Sequence, residues 1–453
     1  MRKNEVDMLS GSIVKGLLTI AIPVMIMNVA TSLFNIIDMT VLKTFGGAVG
    51  AVGVCGTLIS LITGLVIGVS SGSNVIIARY IGRKDQASIN RSINTAMAFS
   101  VAAGIGLAII GVLGAPLFLK WNNCPKELLK DATLYFRLYF AGVPILMVYN
   151  FCASILRSSG DSKRPMIFLI IGGAVKVLMN IVFVGGLKLG VEGVACATII
   201  SWCVYTTLGL RALLCNQGVV KLHLKEVRFY KREMLQILHI GIPAGLQQAL
   251  YSVANVIITA TVNKLGPAAT TGMSIANNFD GILYQISVAT ALAMMPYVSQ
   301  NIGAGNVKRA VQSVWKGIFV TVCLGGFFGA LSAIFSRQLS GIMSSDPAVI
   351  EYSRQKMILI SSTYFICGIN EIFGAALRGM GKPVAATVST MVWMCAFRFV
   401  WVYLIYPLFP ANLTFLYLVW PIGWVMSIVS LLFVFFPTVK KLRKKLTPSQ
   451  AVS

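Results

Sequence analysis

Residues 22–38 read IPVMIMNVATSLFNIID. They sit inside an apolar run from 13 to 41, and about 20 such residues suffice to cross a hydrocarbon core at 1.5 Å per residue. A run this long with one carboxylate, Asp38, reads as a membrane-spanning helix. Its Ile22-Pro23 pair returns as Ile242-Pro243, an offset of 220. Working outward, Phe45-Gly46 returns as Leu265-Gly266, Tyr80-Ile81-Gly82 as Asn301-Ile302-Gly303, and Leu156-Arg157 as Leu377-Arg378, each at 220 or 221. The chain is a tandem repeat.

Counting spans by the same length criterion gives twelve, near 13–41, 50–78, 90–118, 132–156, 165–184, 191–214, 234–262, 269–297, 310–335, 350–377, 383–406 and 413–437. Gly46-Gly47, Gly185-Gly186 and Pro407 to Asn412 punctuate the runs as turn signals. Composition agrees, with 57% hydrophobic residues, 11% charged residues and a mean hydropathy of +0.80. A soluble chain carries about 25% charged residues. Too little polar surface is available to coat a soluble particle, so the apolar excess faces lipid.

The net charge of +24 raises the question of nucleic acid, and the distribution of charge answers it. Lys and Arg cluster in short loops between apolar runs, with no aromatic-interleaved basic face, which is the positive-inside pattern and implies no nucleic-acid partner. The termini and even-numbered loops hold 26 of the 38 and the opposite side 10, leaving Lys176 and Arg398 within spans. Both termini are therefore expected in the cytoplasm. The first span has no cleavage site and reads as a retained helix. Nine scattered cysteines without a CxxC pair read as structural thiols.

The expected fold is all-α and polytopic, with two pseudosymmetric six-helix bundles of the same orientation, related by an axis along the membrane normal. Residues 1–216 form an N-lobe, 217–232 a cytoplasmic linker, 233–439 a C-lobe and 440–453 a basic cytoplasmic tail. Symmetry of this kind makes a monomer sufficient and places a solute site between the lobes near the midplane, open to one side at a time.

Several blocks resemble the multidrug and toxic compound extrusion (MATE) family over nearly the whole chain: Pro23 followed by Phe34-Asn35-Ile36-Ile37-Asp38, then Ile155 to Asp161 (ILRSSGD), Gly190 to Thr198 (GVEGVACAT), Ser299 to Gly305 (SQNIGAG) and Leu377 to Gly381 (LRGMG). Each block is weak alone, and their order at successive helix ends is specific. The resemblance implies V-shaped lobes around a central cavity and export of organic, often cationic or amphipathic, compounds in exchange for sodium or protons. It implies no cofactor beyond that coupling ion, and the absence of sorting signals fits a bacterial inner membrane. The flippases that share this general architecture supply the alternative, a lipid-linked or polyanionic cargo.

Charge at the bilayer centre costs at least about 2.5 to 3.5 kcal/mol, so ionisable residues in spans are candidates for function. Asp38, one turn from Asn35, can exchange a proton for a cation if it is buried, or can simply pair with Lys176. Asn180 in span five and Thr198 in span six offer further oxygens of the kind that bind hard cations. With Asp38 they match the family's N-lobe cation site, which makes Asp38 and Asn180 candidate sodium ligands. The family often carries an acid four places after this asparagine, where this chain has Val184.

In the second half, Gln247, Gln248, Tyr251, Asn255, Asn277, Asp280, Tyr284, Asn370 and Glu371 could line a polar substrate cavity, and Arg398, aligned in the repeat with Asn180, stands to neutralise Glu371 or Asp280. Arg157 and Arg378, each at a Leu-Arg helix end followed by Gly, read as caps or lipid-phosphate contacts. Trp393, Phe399, Trp401, Tyr403 and the 19 methionines suit interfacial anchoring, or a pliable pocket for flat molecules.

Other function classes fall away. No GxxxxGK[ST] loop is present, which argues against an ATP-driven pump. An intramembrane enzyme would need a nucleophile with its base or an HExxH site, and both histidines, His223 and His239, lie at the linker.

Overall fold

The computed structural model describes residues 6–45, 49–122, 124–409 and 412–446. The Gly46-Gly47 turn, residues 410 and 411 of the Pro407 to Asn412 turn, and the end of the basic tail lie outside them. Every described element is helical. The first half comprises α1 (Ile13–Thr44), α2 (Val49–Arg83), α3 (Gln86–Trp121), α4 (Leu129–Ser158), α5 (Lys163–Asn180) and α6 (Val191–Leu214). The second comprises α7 (Lys231–Asn263), α8 (Pro267–Gly303), α9 (Val307–Ile334), the short α10 (Ser336–Met343), α11 (Pro347–Gly379), α12 (Pro383–Thr390), α13 (Phe397–Val400), α14 (Leu413–Tyr417) and α15 (Val419–Leu446).

Eleven segments are long and apolar enough to cross a membrane. The twelfth span is α7, 33 residues long but diluted by Gln247, Gln248 and Asn255. The twelve-helix expectation therefore holds.

The repeat is visible in how helices start and stop. Asp85 caps α3, its Oδ1 accepting from the Ser88 N–H at 3.0 Å. Asn306, 221 residues on, caps α9 by accepting from the Arg309 N–H at 3.0 Å. Such a cap occupies one of the four N–H groups a helix start leaves unpaired. At the C-terminal ends of α4 and α11, Gly160 and Gly381 take positive φ of 88° and 83°. The next N–H then folds back, Asp161 onto the Leu156 carbonyl at 3.1 Å and Lys382 onto the Leu377 carbonyl at 2.8 Å. The tight turn read from Leu-Arg followed by glycine is present in both halves.

Contacts divide the chain into two compact units. One holds Ile22–Gly245; the other holds Met8–Ala21 with the chain from Leu246 onward. The divisions fall inside α1 and α7, beside Pro23 and Pro243, where a missing N–H interrupts the helical ladder. Each of these helices thus serves both units.

In the N-terminal unit α4 is central, packing against α2, α3 and α6. Its Tyr139 meets Trp202 edge-on at 4.8 Å, and Tyr149 meets Tyr205 at 4.1 Å. Helix α2 meets the first half of α7 through two facing GxxxG stretches, Gly68 to Gly72 and Gly241 to Gly245. A Cβ on Gly68 would lie 2.3 Å from the Gly245 Cα, and one on Gly72 would lie 2.2 Å from the Ile237 carbonyl oxygen. Without water to drive association, close backbone approach of this kind supplies much of the attraction between membrane helices.

The C-terminal unit repeats the plan, with α11 central against α8, α9 and α15. Met8–Ala21 belongs here: Asn301 Nδ2 donates to the Met8 carbonyl at 3.0 Å, and Arg309 donates to the carbonyls of Met8 and Gly11 at 3.1 and 3.0 Å.

Candidate functional site

Two polar clusters lie within the apolar interior, one in each unit. In the N-terminal unit Asp38 is 6% exposed and both its oxygens are engaged. Oδ2 faces Lys176 Nζ at 2.6 Å, and Oδ1 accepts from Asn180 Nδ2 at 2.7 Å. Lys176 and Asn180 lie one turn apart on α5, so one helix face presents both to α1. Immediately after Asn180 the helix loosens into a π-helical turn, Ile181–Gly186, a distortion often found at functional sites. Val184 is buried in that turn.

Asp38, Lys176 and Asn180 come together, but Asn180, expected as an oxygen donor, turns its Nδ2 to Asp38 and leaves its own oxygen without a hydrogen-bond partner among the described residues. Thr198 is buried on α6, which packs against α5, and its Oγ1 has no hydrogen-bond partner among the described residues. Asn35, one turn before Asp38 on α1, is exposed and does not share its burial.

A partly open cavity of about 410 Å³ lies within the C-terminal unit. Of the residues expected to line it, Gln248, Tyr251, Asn255, Asn277, Asp280, Tyr284 and Arg398 do so. Gln247, Asn370 and Glu371 are buried but do not line it. Gln247 instead accepts from Arg378 Nη1 at 3.0 Å, and Glu371 accepts from the Tyr251 hydroxyl at 3.4 Å in the field of Arg378. Arg378 is thus buried beside Gln247 and Glu371, not a lipid-facing cap, because the end of α11 is enclosed by its neighbours.

The expectation that Arg398 neutralises Asp280 or Glu371 is not what the structure places there. Asp280 Oδ2 pairs with Lys356 Nζ at 2.9 Å, and that ammonium also donates to Asn277 Oδ1. Lys356 lies six residues into the expected span ten, and the charge count groups it with the outer-side lysines and arginines, as a residue near a span start would be. Helix α11 begins at Pro347, which carries Lys356 about two and a half turns inward, where it is 2% exposed. Arg398 donates to Asn255 Oδ1 at 2.7 Å. No carboxylate among the described residues forms an ion pair with it.

Both cations stand over the Trp420 ring, Lys356 Nζ at 5.3 Å and Arg398 Cζ at 5.5 Å from its centroid, within the reach of cation–π attraction. Trp420, Trp424, Tyr364 and Cys367 complete the wall and carry no signal in a single sequence that would have set them apart from core. Arg398 sits on α13, the single helical turn between two π-helical stretches, Met391–Ala396 and Trp401–Ile405. At the repeat offset of 220 the π-helical stretch Ile181–Gly186 falls on Trp401–Ile405, so both halves distort the same helix, although Arg398 lies 218 residues after Asn180 and is not its strict counterpart.

The sequence profile of the MatE family matches residues 23–182 and again 243–404. The chain belongs to the MatE family. The two matches reproduce the internal repeat and cover most of both halves. Among curated members, it is similar to the probable multidrug resistance protein YoeA of Bacillus subtilis, 26% identical across 82% of each chain. It is 23% identical to an FAD transporter of Shewanella oneidensis, across 86% of this chain and 87% of that one. A solved multidrug resistance MATE family transporter in an outward-facing conformation superposes with a TM-score of 0.89, covering 98% of this chain and 99% of the other at 20% identity. That likeness establishes the shared MATE fold.

Proposed function

We propose that this MATE-family protein is a secondary antiporter that exports amphipathic organic compounds by alternating access, in exchange for protons taken up at Asp38. Family membership and the names of its relatives, which are transporters, support export over catalysis. The observation that carries the coupling assignment is the buried triad of Asp38, Lys176 and Asn180.

A sodium ion entering this group would meet an ammonium already 2.6 Å from the same carboxylate. Two unit charges about 4 Å apart repel by about 4 kcal/mol at an effective dielectric of 20. Val184 supplies no second anion to offset that. A hard cation needs several oxygen ligands at once, and Asn180 turns its Nδ2 rather than its oxygen to Asp38, whereas a proton needs only the carboxylate, so the donor set favours a proton over sodium. A proton on Asp38 neutralises the carboxylate, leaves Lys176 without its counter-charge and removes the attraction that ties α1 to α5. Loss of a buried pair of this kind biases a two-state element.

A flippase for a polyanionic cargo would need open cations in the N-terminal unit, and Lys176 is engaged by Asp38. On this reading the chain acts as a monomer in a bacterial inner membrane with both termini cytoplasmic, as the distribution of Lys and Arg supports.

The test is efflux of ethidium and of 2-naphthoate from proteoliposomes, with proton and sodium gradients imposed separately. Proton-driven efflux of either compound that is lost in Asp38→Asn is the expected result. Efflux driven only by sodium would overturn the proton assignment, and no efflux of either compound under either gradient would overturn the exporter.

A further inference from the structure

We infer that the cavity of the C-terminal unit binds an aromatic organic anion, its carboxylate, phosphate or sulfonate held by Arg398 and its ring packed among the aromatic side chains of the wall. The inference rests on the export reading and names the cargo class for it; the cationic cargo expected of the family is the competing assignment.

The argument is a charge balance inside one wall. Three charged groups line the cavity: Lys356, Asp280 and Arg398. Lys356 and Asp280 cancel, paired at 2.9 Å. Glu371, the other buried acid of the unit, lies in the field of Arg378 and does not line the space. Arg398 is left as the one lining charge without a carboxylate partner among the described residues, and it is 2% exposed. A buried charge is costly unless it is paired.

Neutral contacts hold the guanidinium in position without cancelling its charge. Asn255 Oδ1 accepts one of its five N–H groups at 2.7 Å, and the Trp420 ring lies 5.5 Å away. What remains is a fixed planar fork, which matches the oxygens of a carboxylate or phosphate better than a point charge does.

A cationic solute would enter a space whose lining, among the described residues, sums to one positive charge, with its one carboxylate already occupied by Lys356. The same lining carries Tyr284, Tyr364, Trp420 and Trp424, a surface suited to a flat ring. A volume of about 410 Å³ falls in the range of small-molecule pockets.

The discriminating measurement is calorimetric binding to the full-length protein in phosphatidylcholine nanodiscs, with three probes: 2-naphthoate, 2-naphthylmethylammonium, which has the same ring and the opposite charge, and inorganic phosphate. Wild type is expected to bind naphthoate at least tenfold tighter than the ammonium and to bind phosphate alone weakly. Arg398→Gln should lose that preference, and Arg398→Lys, which keeps the charge, should retain part of it.

Equal or tighter binding of the ammonium, no binding of naphthoate, or undiminished naphthoate binding in Arg398→Gln would each overturn the assignment. The wild-type comparison of the two probes stands whether or not either variant folds. Repeating the titration with phosphatidylglycerol in the discs separates sources: unchanged naphthoate affinity supports a soluble aromatic anion, whereas its loss would reassign the site to a lipid headgroup. Binding needs no gradient, so failure of transport in proteoliposomes would remove the exporter reading without deciding this one.

Discussion

Lys356 and Asp280 show what a buried ion pair demands of its surroundings. The lysine side chain is 2% exposed and that of the aspartate 11%, so removing either partner strands the other in low dielectric. Lys356→Met is expected to destabilise the protein by about 3 to 5 kcal/mol, and adding Asp280→Leu should recover most of that loss. Thermal unfolding of the three variants in one detergent checks the sign and the recovery. Asp38 was legible because a lone carboxylate in an apolar run is conspicuous, Lys176 because it is a charge left within a span, and Asn180 through the resemblance to the family's cation site. Lys356 was not, because a lysine near the start of a span can equally snorkel to the interface, and only the true start of α11 decides between the two. The pairing of Arg398 with Asn255 was hidden for a different reason. A guanidinium accepts amide or carboxylate partners alike, and a sequence does not say which lies across the gap.

At the scale of elements, glycines and caps carry the packing. Gly72→Ala drives a Cβ to 2.2 Å from the Ile237 carbonyl oxygen, and backbone cannot give way as a side chain can. A cost of about 1 to 3 kcal/mol is expected, whereas Gly106→Ala, with nothing within 4 Å of the added Cβ, should be neutral or stabilising. Detergent-solubilised melting temperatures separate the two. The caps make a second comparison. Hydrogen bonds from the side chain and backbone of Ser88 hold the Asp85 carboxyl below its usual range, so the charged form is the one the folded helix prefers. Its contribution is complete above the unfolded-state value near about 3.9 and fades as pH falls through the lower folded value. Amide exchange in the first turn of α3 should therefore accelerate in acid relative to that of α9, which Asn306 caps without a charge. Asp85→Asn should abolish the difference. The ends of α4 and α11 were readable because Leu-Arg followed by a positive-φ glycine leaves a local mark, whereas the Asp85 and Asn306 caps lie several residues outside the expected starts of spans three and nine. The π-helical turns after Asn180 and around Arg398 were not readable, since they arise from packing that no local spacing encodes.

For the whole molecule, the repeat predicted the number and order of spans but not where the units divide. Because the first half of α7 completes the unit built on α2, a fragment of residues 1–216 lacks a partner for Gly68 and Gly72. It should aggregate on size exclusion, while a fragment of residues 1–245 should elute as a single species. Equal behaviour of the two fragments would show that the α7 segment is dispensable.

The reciprocal loan of Met8–Ala21 and of the first half of α7 also bears on ancestry. If a six-span gene preceded the duplication, its product was not self-sufficient, because each copy's leading segment belongs with the other copy's bundle. Such a precursor would have worked as an interlocked pair exchanging identical segments, a low-cost route to dimers. Joining two genes then fixed an existing partnership and freed the halves to diverge. Both copies keep an acid and a lysine on facing helices, and the second adds an arginine with no carboxylate partner among the described residues.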